Sequence, residues 1–164
     1  MTLQEYKEQL AVLLGELHTE NIKLFVHFDK FGGDWRNREL NGIEGHEFES
    51  DFYHEDHAVP FKVVLRDKEV TRFKLVEFPG CCAVMVSTGS SVDPKFRGKG
   101  VNQLTNKLRQ QIAKNANYTA IICTDVDKNI AQRQTLKKND WQDIFTLVNR
   151  RTSNKVHISI KELE

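Results

Sequence analysis

The sequence contains few of the residues that cross-link or rigidify small proteins. Its 164 residues include three cysteines and three prolines. Cys81 and Cys82 are adjacent and Cys123 lies in an apolar stretch, so they lack the spaced pattern of a disulfide framework. A chain of this length can bury an adequate hydrophobic core without covalent links. We therefore expect reduced thiols, a cytoplasmic location and a single domain over residues 1–164.

Long apolar runs and a basic leader are also missing. No stretch reaches the roughly 18 apolar residues that a membrane-spanning helix needs, and the first residues lack the pattern of a secretory signal. The hydrophobic content of 39% and charged content of 29% are typical of soluble globular proteins. His54 and His57 lie beside carboxylates, but no third His or Cys stands at ligand spacing, which favours a polar loop. We expect neither a membrane partner nor a bound metal.

The charges are unevenly distributed, although their sum is only +1. Residues 1–60 hold 13 acidic and 5 basic side chains, a net charge of −8, whereas residues 61–164 hold 10 acidic and 19 basic ones, a net +9. A basic half suits a polyanionic ligand, and an acidic half suits a cationic substrate such as an amine. Two ordinary solvated surfaces explain the asymmetry equally well. Aromatic residues are not interleaved with the basic ones, which argues against nucleic acid as a partner.

Helical and extended patterns alternate along the chain. A capping box at residues 2–5 precedes apolar residues at helical spacing, which predicts a helix over residues 3–18. Residues 22–28 are apolar and ambiguous between helix and strand. Gly89 lies inside a predicted strand and indicates a bulge or splay there. The other predicted elements are strands at 61–66, 70–78 and 82–92 forming an antiparallel meander, a helix at 99–116, a strand at 118–124, a helix at 129–138, and strands at 144–149 and 156–163.

The turn between the strand at 82–92 and the next helix is the strongest functional signal. Residues 92–101 read Val-Asp-Pro-Lys-Phe-Arg-Gly-Lys-Gly-Val. Gly98 and Gly100 have no Cβ, so backbone N–H groups can approach an anion closely and adopt positive φ. The following helix directs its free N–H groups and positive dipole end to the same point, where Arg97 and Lys99 add charge. The nucleoside-triphosphate loop and the three-glycine dinucleotide fingerprint are both absent. The turn nevertheless suits a diphosphate.

This segment closely resembles the acetyl-coenzyme A loop of the GNAT acetyltransferase superfamily, whose core pattern is Gln/Arg-x-x-Gly-x-Gly/Ala. Gly98 and Gly100 match the two small positions. Lys95 stands where the family often has Gln or Arg, and Asn102 stands where many members have another glycine.

Residues 127–141 resemble the second signature of the same family, Asn-x-x-Ala-x-x-x-Tyr-x-Lys-x-Gly-Phe. The matching positions are Asn129, Lys138 and aromatic Trp141, and the departures are Gln132, Leu136 and Asp140. In many members a tyrosine at the position of Leu136 protonates the leaving thiolate. The likeness covers about residues 82–145.

The resemblance implies a mixed, mainly antiparallel sheet flanked by helices. It also implies transfer of an acetyl group from acetyl-coenzyme A to an amine of a small molecule or protein, by direct attack in a ternary complex. The coenzyme contacts that it implies are Ser91, Val92, Arg97, Gly98, Lys99, Gly100, Val101, Asn102 and Asn129. Asn129 equally suits a helix N-cap. Because an ammonium acceptor must lose a proton, Glu77 and Asp125 are candidate general bases, although each could be a surface charge.

In this family the acceptor side is formed by the variable N-terminal region, here about residues 20–60, and by the last hairpin. Residues 29–58 show no clear period and are rich in acidic residues, so we expect a wall over the acceptor site. Its aromatic side chains are Phe31, Trp35, Phe48, Phe52 and Tyr53, which could instead pin short helices onto the sheet. Leu136 and Asp140 favour an alternative, a weakly active or inactive acyl-coenzyme A binding module. A nucleic-acid-modifying transferase of this fold is a second alternative, and a homodimer is compatible with either.

Overall fold

The computed structural model describes residues 1–30, 34–44 and 58–164, and the side chains of these residues except 27–30 and 34–37. These ranges contain three α-helices, which are α1 Leu3–Leu14, α2 Val101–Asn115 and α3 Ile130–Lys138. Eight strands are β1 Ile22–Lys30, β2 Asp34–Glu39, β3 Val59–Leu65, β4 Lys68–Glu77, β5 Val84–Val92, β6 Ala120–Val126, β7 Gln142–Val148 and β8 Lys155–Glu162.

The eight strands form one sheet in the order β2-β1-β3-β4-β5-β6-β8-β7. Within the described part of the chain, β5 and β6 are the only parallel neighbours, and α2 makes the crossover between them. A parallel pair needs such a crossover, whereas the β3-β4-β5 meander needs only short turns. The prediction of a mixed, mainly antiparallel sheet flanked by helices is confirmed.

Local backbone geometry explains where α1 and the first meander turn lie. The predicted capping box of Thr2 and Glu5 begins α1, but the helix ends at Leu14 and not near residue 18. Gly15 adopts φ 67° and its N–H bonds to the carbonyls of the last helical turn, which is a common helix stop. Arg66 and Asp67 have φ of 48° and 67°, as the tight turn joining β3 to β4 requires.

The ends of α2 also differ slightly from those expected. The helix begins at Val101 because Gly100 takes φ 86°, outside the helical region. At its other end, Asn117 has φ 65° and the Tyr118 N–H bonds to the Ala113 carbonyl. These two residues close the helix, so β6 begins at residue 120 and not at 118.

The hydrophobic core lies between the sheet and helices α1 and α2. Tyr6 of α1 and Thr105 of α2 are both buried and share a hydrogen bond of 3.0 Å. In the same core, Phe61 of β3 and Phe73 of β4 stack with ring centroids 5.0 Å apart. This packing fixes α2 over the centre of the sheet, and therefore fixes the turn that precedes it.

Strands β5 and β6 separate after a short shared stretch. They pair over residues 84–87 and 120–123, where Ser87 opposite Cys123 is the last pair. Beyond that point β4 is the only described strand that pairs with β5, and β6 continues beside β8 to Val126. Gly89 has φ 60°, and the β4–β5 register shifts beside it between Arg72 and Lys74. The bulge or splay expected at Gly89 is confirmed as a splay between β5 and β6, and we call the Ser87–Cys123 pair its vertex.

Part of the expected acceptor segment belongs to the sheet. Within the stretch predicted to lack a regular period, β2 covers Asp34–Glu39 and forms the sheet edge next to β1. Leu40 and Ile43 are buried, and the Asn115 side chain bonds to the Ile43 carbonyl at 2.7 Å. Outside the described residues lie Phe31, Phe48, Phe52, Tyr53, His54 and His57, and the side chain of Trp35 is likewise not described. No helix in the described ranges is long and apolar enough to span a membrane.

Candidate functional site

A crevice of about 400 Å³ opens where β5 leaves β6. Its lining comes from the end of β5, the following turn, and the first turns of α2 and α3: Ser90, Ser91, Val92, Phe96, Arg97, Gly98, Val101, Asn102, Asn129, Ala131 and Gln132. Seven of the nine residues expected at the coenzyme are among them. Lys99 and Gly100 belong to the same turn but do not line the crevice.

The turn is held in place by its own hydrogen bonds. The Asp93 N–H donates to the Val70 carbonyl at 2.9 Å, and the Asp93 carboxylate accepts from the Lys95 N–H at 3.0 Å. Arg97 Nε donates to the Val92 carbonyl at 2.9 Å. Hydrogen bonds within the protein therefore anchor the turn to the sheet.

The two glycines are required by backbone shape and not by lack of space. Gly98 has φ 77° and Gly100 has φ 86°, a region that other residues adopt only with strain. A Cβ built on Gly98 would meet no atom within 4 Å, and one on Gly100 would only touch Leu13 at 3.8 Å. The space over the turn is open, so its amides are accessible to a ligand.

Two helix N-termini meet at the crevice. The first bond of α2 runs from the Leu104 N–H to the Gly100 carbonyl, so the three preceding N–H groups have no helical acceptor. Asn129 caps α3 by accepting from the Gln132 N–H at 3.2 Å, and the Asn102 amide donates to Gln132 Oε1 at 2.8 Å. Because this contact links the two helix starts, both positive dipole ends act on one small volume. Such a site favours an anion.

Asp125 is tied into an ion-pair network beyond the vertex on β6. Its Oδ2 accepts from Arg133 of α3 at 3.0 Å, and the same guanidinium donates to Asp143 at 2.7 Å. Its Oδ1 is buried with no hydrogen-bond partner among the described residues. Burial raises the pKa of the Asp125 carboxyl, and the hydrogen bond from Arg133 opposes that rise. Asp125 is therefore a buried carboxyl in the splayed region and not a surface charge.

Glu77 lies on the other side of the vertex. It stands opposite Met85 at the end of β4, two positions from the Leu75–Ser87 pair. Its Oε1 is also buried and unpartnered within the described part of the structure. Neither Glu77 nor Asp125 lines the crevice, so the two candidate bases flank the vertex and not the anion site.

Other residues near the vertex carry no local sequence signal. Arg109 of α2 is buried and donates to the Ser87 hydroxyl at 2.9 Å. In the sequence Arg109 follows Leu108 and precedes Ile112 by three, so it falls on the apolar face of the predicted helix. That placement is the only hint that the side chain points inward. Leu136, at the family's tyrosine position, is 3% exposed and belongs to the core.

A larger groove, about 640 Å³, lies between α2 and β8. It is lined mainly by polar and charged side chains, among them Lys107, Lys114 and Lys161, and none of its lining residues belongs to the first turn of a described α-helix. It shares no residue with the crevice. Size alone therefore does not identify the site, and convergent N–H groups favour the smaller crevice.

Comparison with known proteins gives structural matches only. No family model matches the sequence, and no curated protein matches it. Among solved structures, yncA from Salmonella typhimurium, solved with its cofactor acetyl-CoA, is 10% identical with a TM-score of 0.58, covering 73% of this chain and 70% of that one. Ribosomal-protein-S5-alanine acetyltransferase from Vibrio fischeri is 16% identical with a TM-score of 0.57, covering 70% and 67%.

A third match names the family. The GNAT-family acetyltransferase from Bacillus anthracis is 14% identical with a TM-score of 0.55, and the alignment covers 63% of this chain and 65% of that one. Identities this low carry information about the fold and not about the acceptor or the catalytic residues. Together with the splayed parallel pair, the α2 crossover and the glycine turn, they lead to one conclusion. The protein has the fold of the GNAT acetyltransferases.

Proposed function

We propose that the protein binds acetyl-coenzyme A in the crevice and transfers its acetyl group to an amine. The observation that carries this proposal is the convergence of two helix N-termini and an open glycine turn at the mouth of the splay. Backbone N–H groups of residues 98–102 would hold the pyrophosphate, and Arg97 and Lys99 would add charge around it. Asn129 would serve both as the α3 cap and as one wall of the crevice.

The splay gives the pantetheine arm a path toward the vertex. Beyond Ser87 the β6-facing edge of β5 has no partner among the described strands, so residues 88–92 can bond to an extended ligand. From Val92 back to Ser87 is five residues, roughly 17 Å of extended strand. The thioester would therefore lie near the vertex, between the two candidate bases.

The reaction needs a neutral amine beside the thioester. Its nitrogen attacks the carbonyl carbon, a C–N bond forms, the C–S bond breaks, and coenzyme A leaves as a thiolate. Of the two candidate bases, Asp125 suits the transfer of the amine proton better because β6 faces the splay there and burial raises its pKa. Glu77 belongs to β4, which lies between β3 and β5 and does not border the splay, so it is the weaker candidate for the general base.

Binding and turnover test separate parts of this proposal. Isothermal titration with acetyl-coenzyme A tests the crevice, and thiol release with a panel of amines, peptides and nucleic acids tests transfer. Tight binding without thiol release for any acceptor would support the alternative of an inactive acyl-coenzyme A binding module, which the buried Leu136 favours. Absence of binding would refute both.

The acidic N-terminal part of the sequence supports a cationic acceptor. We expect Glu47, Glu49 and Asp51, which lie outside the described residues, to attract a cationic amine of a small molecule or protein. Exchanging all three for their amides should raise KM for the amine at low salt, while the affinity for acetyl-coenzyme A stays constant. An unchanged KM for the amine at low salt would show that the acidic residues of segment 29–58 do not attract the acceptor.

A further inference from the structure

Arg109 is a buried cation with an incomplete set of partners. It is 2% exposed, and its guanidinium lies 5.9 Å above the Phe73 ring. Nη1 donates to Ser87 Oγ at 2.9 Å, but Nε and Nη2 have no hydrogen-bond acceptor in the described part of the chain. Burying unsatisfied charged donors is costly, and such groups persist where they have a role.

The titratable groups nearest to this guanidinium are neutral near pH 7. Burial raises the pKa of the Cys123 thiol to about 12 and raises that of the Tyr6 phenol well above its ordinary value. Burial also lowers the pKa of Arg109 to about 10, which still leaves it charged. Asp125, two residues beyond Cys123 on β6, is held by Arg133. Arg109 thus places a positive charge in a low-dielectric region, with no ion-pair partner among the described residues.

The hydrogen bond directs this charge to the vertex. Ser87 is the last residue of β5 that has a partner on β6. Its Oγ accepts from Arg109, so its hydroxyl hydrogen is free to donate, and it makes no other hydrogen bond to described residues. A hydroxyl that accepts from a cation is a stronger donor, because the two bonds polarise one another. The vertex therefore carries one hydroxyl donor that has no acceptor among the described residues.

We propose that Ser87 donates this hydrogen bond to the sulfur of coenzyme A as it leaves, and that Arg109 positions and polarises Ser87. The assignment rests on the proposed function, since it needs the thioester at the vertex. When the amine nitrogen bonds to the acetyl carbon, the electron pair of the C–S bond passes to sulfur. The thiolate is then stabilised by the Ser87 hydroxyl and the charge behind it, and the amine proton leaves to the base or water. In this arrangement Ser87 takes the role of the family's tyrosine, whose position in this chain is occupied by Leu136.

The direct test uses coenzyme A itself and needs no acceptor. The bound thiol is titrated by the ultraviolet absorbance of its thiolate, in the parent and in Ser87→Ala. A hydrogen bond to a charged group corresponds to a shift of about one to two pKa units. We expect the thiol pKa to be lowered in the parent and to return by that amount in the variant, with similar affinity for the neutral thiol. With an amine acceptor, kcat should fall about 10- to 100-fold while KM for acetyl-coenzyme A changes little.

Two further variants separate this role from a structural one. Thr105→Val removes a buried hydroxyl from α2 that bonds to Tyr6 and not to the vertex, so it should leave the thiol pKa unchanged. Arg109→Met removes the charge with little change in volume. Because burying a charge has a desolvation cost and Arg109 forms no ion pair among the described residues, its removal leaves no partner charge unpaired there. It should keep the melting temperature and raise the thiol pKa as Ser87→Ala does. If Arg109 is purely structural, the melting temperature falls and the thiol pKa stays constant.

The possible failures are distinct. If the parent does not bind coenzyme A, the proposed function is wrong and this assignment falls with it. If the parent binds coenzyme A but its thiol pKa equals that in Ser87→Ala, only the assignment of Ser87 and Arg109 is wrong.

Discussion

Gly98→Glu should affect the stability of the turn between β5 and α2 and the binding of acetyl-coenzyme A to different extents. Gly98 is exposed, has φ 77° and leaves 4 Å of free space where a Cβ would lie. The only cost to the free protein is placing a non-glycine residue in the left-handed region, about 1 kcal/mol. In a chain of this size we expect the melting temperature to fall by roughly 2–4 °C.

The effect on binding should be larger because it is electrostatic. A carboxylate about 5 Å from a diphosphate charge costs on the order of 3 kcal/mol at an effective dielectric constant of about 20, and salt reduces this. We expect acetyl-coenzyme A to bind about 10- to 100-fold more weakly to the variant, with the loss shrinking at high salt.

The matched control is Gly98→Gln, which has the same length and backbone strain but no charge. Isothermal titration of the parent, Gly98→Glu and Gly98→Gln at two salt concentrations separates charge from bulk. Gly100→Glu should behave like Gly98→Glu, since its Cβ would only touch Leu13 at an ordinary distance. If Gly98→Glu binds acetyl-coenzyme A as tightly as the parent at low salt, the pyrophosphate is not held at this turn.

Three other predictions concern the helices and the charge network around the crevice. Asn129→Ala removes the cap on the Gln132 N–H and should lower the free energy of unfolding by about 1 kcal/mol in chemical denaturation. Asn129→Ser keeps a capping oxygen and should retain most of that stability. Equal stability of all three proteins would contradict the capping role. Leu136→Tyr should lower the melting temperature, because added bulk in a core costs about 1–3 kcal/mol. It should raise kcat if departure of the thiolate limits the rate. An unchanged kcat would show that this step is not rate-limiting. Burial raises the pKa of the Asp125 carboxyl, so the folded protein keeps the carboxyl proton to higher pH than the unfolded chain does. As pH rises from the pKa of the unfolded chain through that of the folded protein, ionisation of this carboxyl therefore lowers the free energy of unfolding. In urea unfolding across acidic pH, Asp125→Asn should therefore show a smaller loss of stability with rising pH than the parent, and identical profiles would refute the raised pKa.

The elements with a clear period were predictable, and the errors have local causes. The β3-β4-β5 meander and helices α2 and α3 were predicted to within a few residues because their apolar residues alternate or recur at helical spacing. Residues 22–28 were ambiguous, since a short apolar run fits either element, and tertiary pairing on both sides made it β1. β2 was missed because Asp34–Glu39 is polar at nearly every position.

The candidate site was predictable to the extent that it is contiguous in sequence. The turn at residues 92–102 carries its own glycines and charges, so its residues could be named in advance. The Ser87–Arg109 contact joins positions 22 residues apart, and only the packing of α2 on β5 reveals it. The choice between Glu77 and Asp125 likewise depends on register and burial, which no local pattern contains.

The short seam between β5 and β6 has a consequence for hydrogen exchange. Only four residue pairs, from Val84–Ala120 to Ser87–Cys123, join a five-stranded block to a three-stranded one. Amides of residues 88–92 that face away from β4 should exchange with solvent faster than those of residues 84–87. A ligand lying along that edge would slow their exchange and add about 2.7 kcal/mol to global stability at a hundredfold excess over Kd. The occupied crevice would then complete the sheet, and each release of product would reopen it.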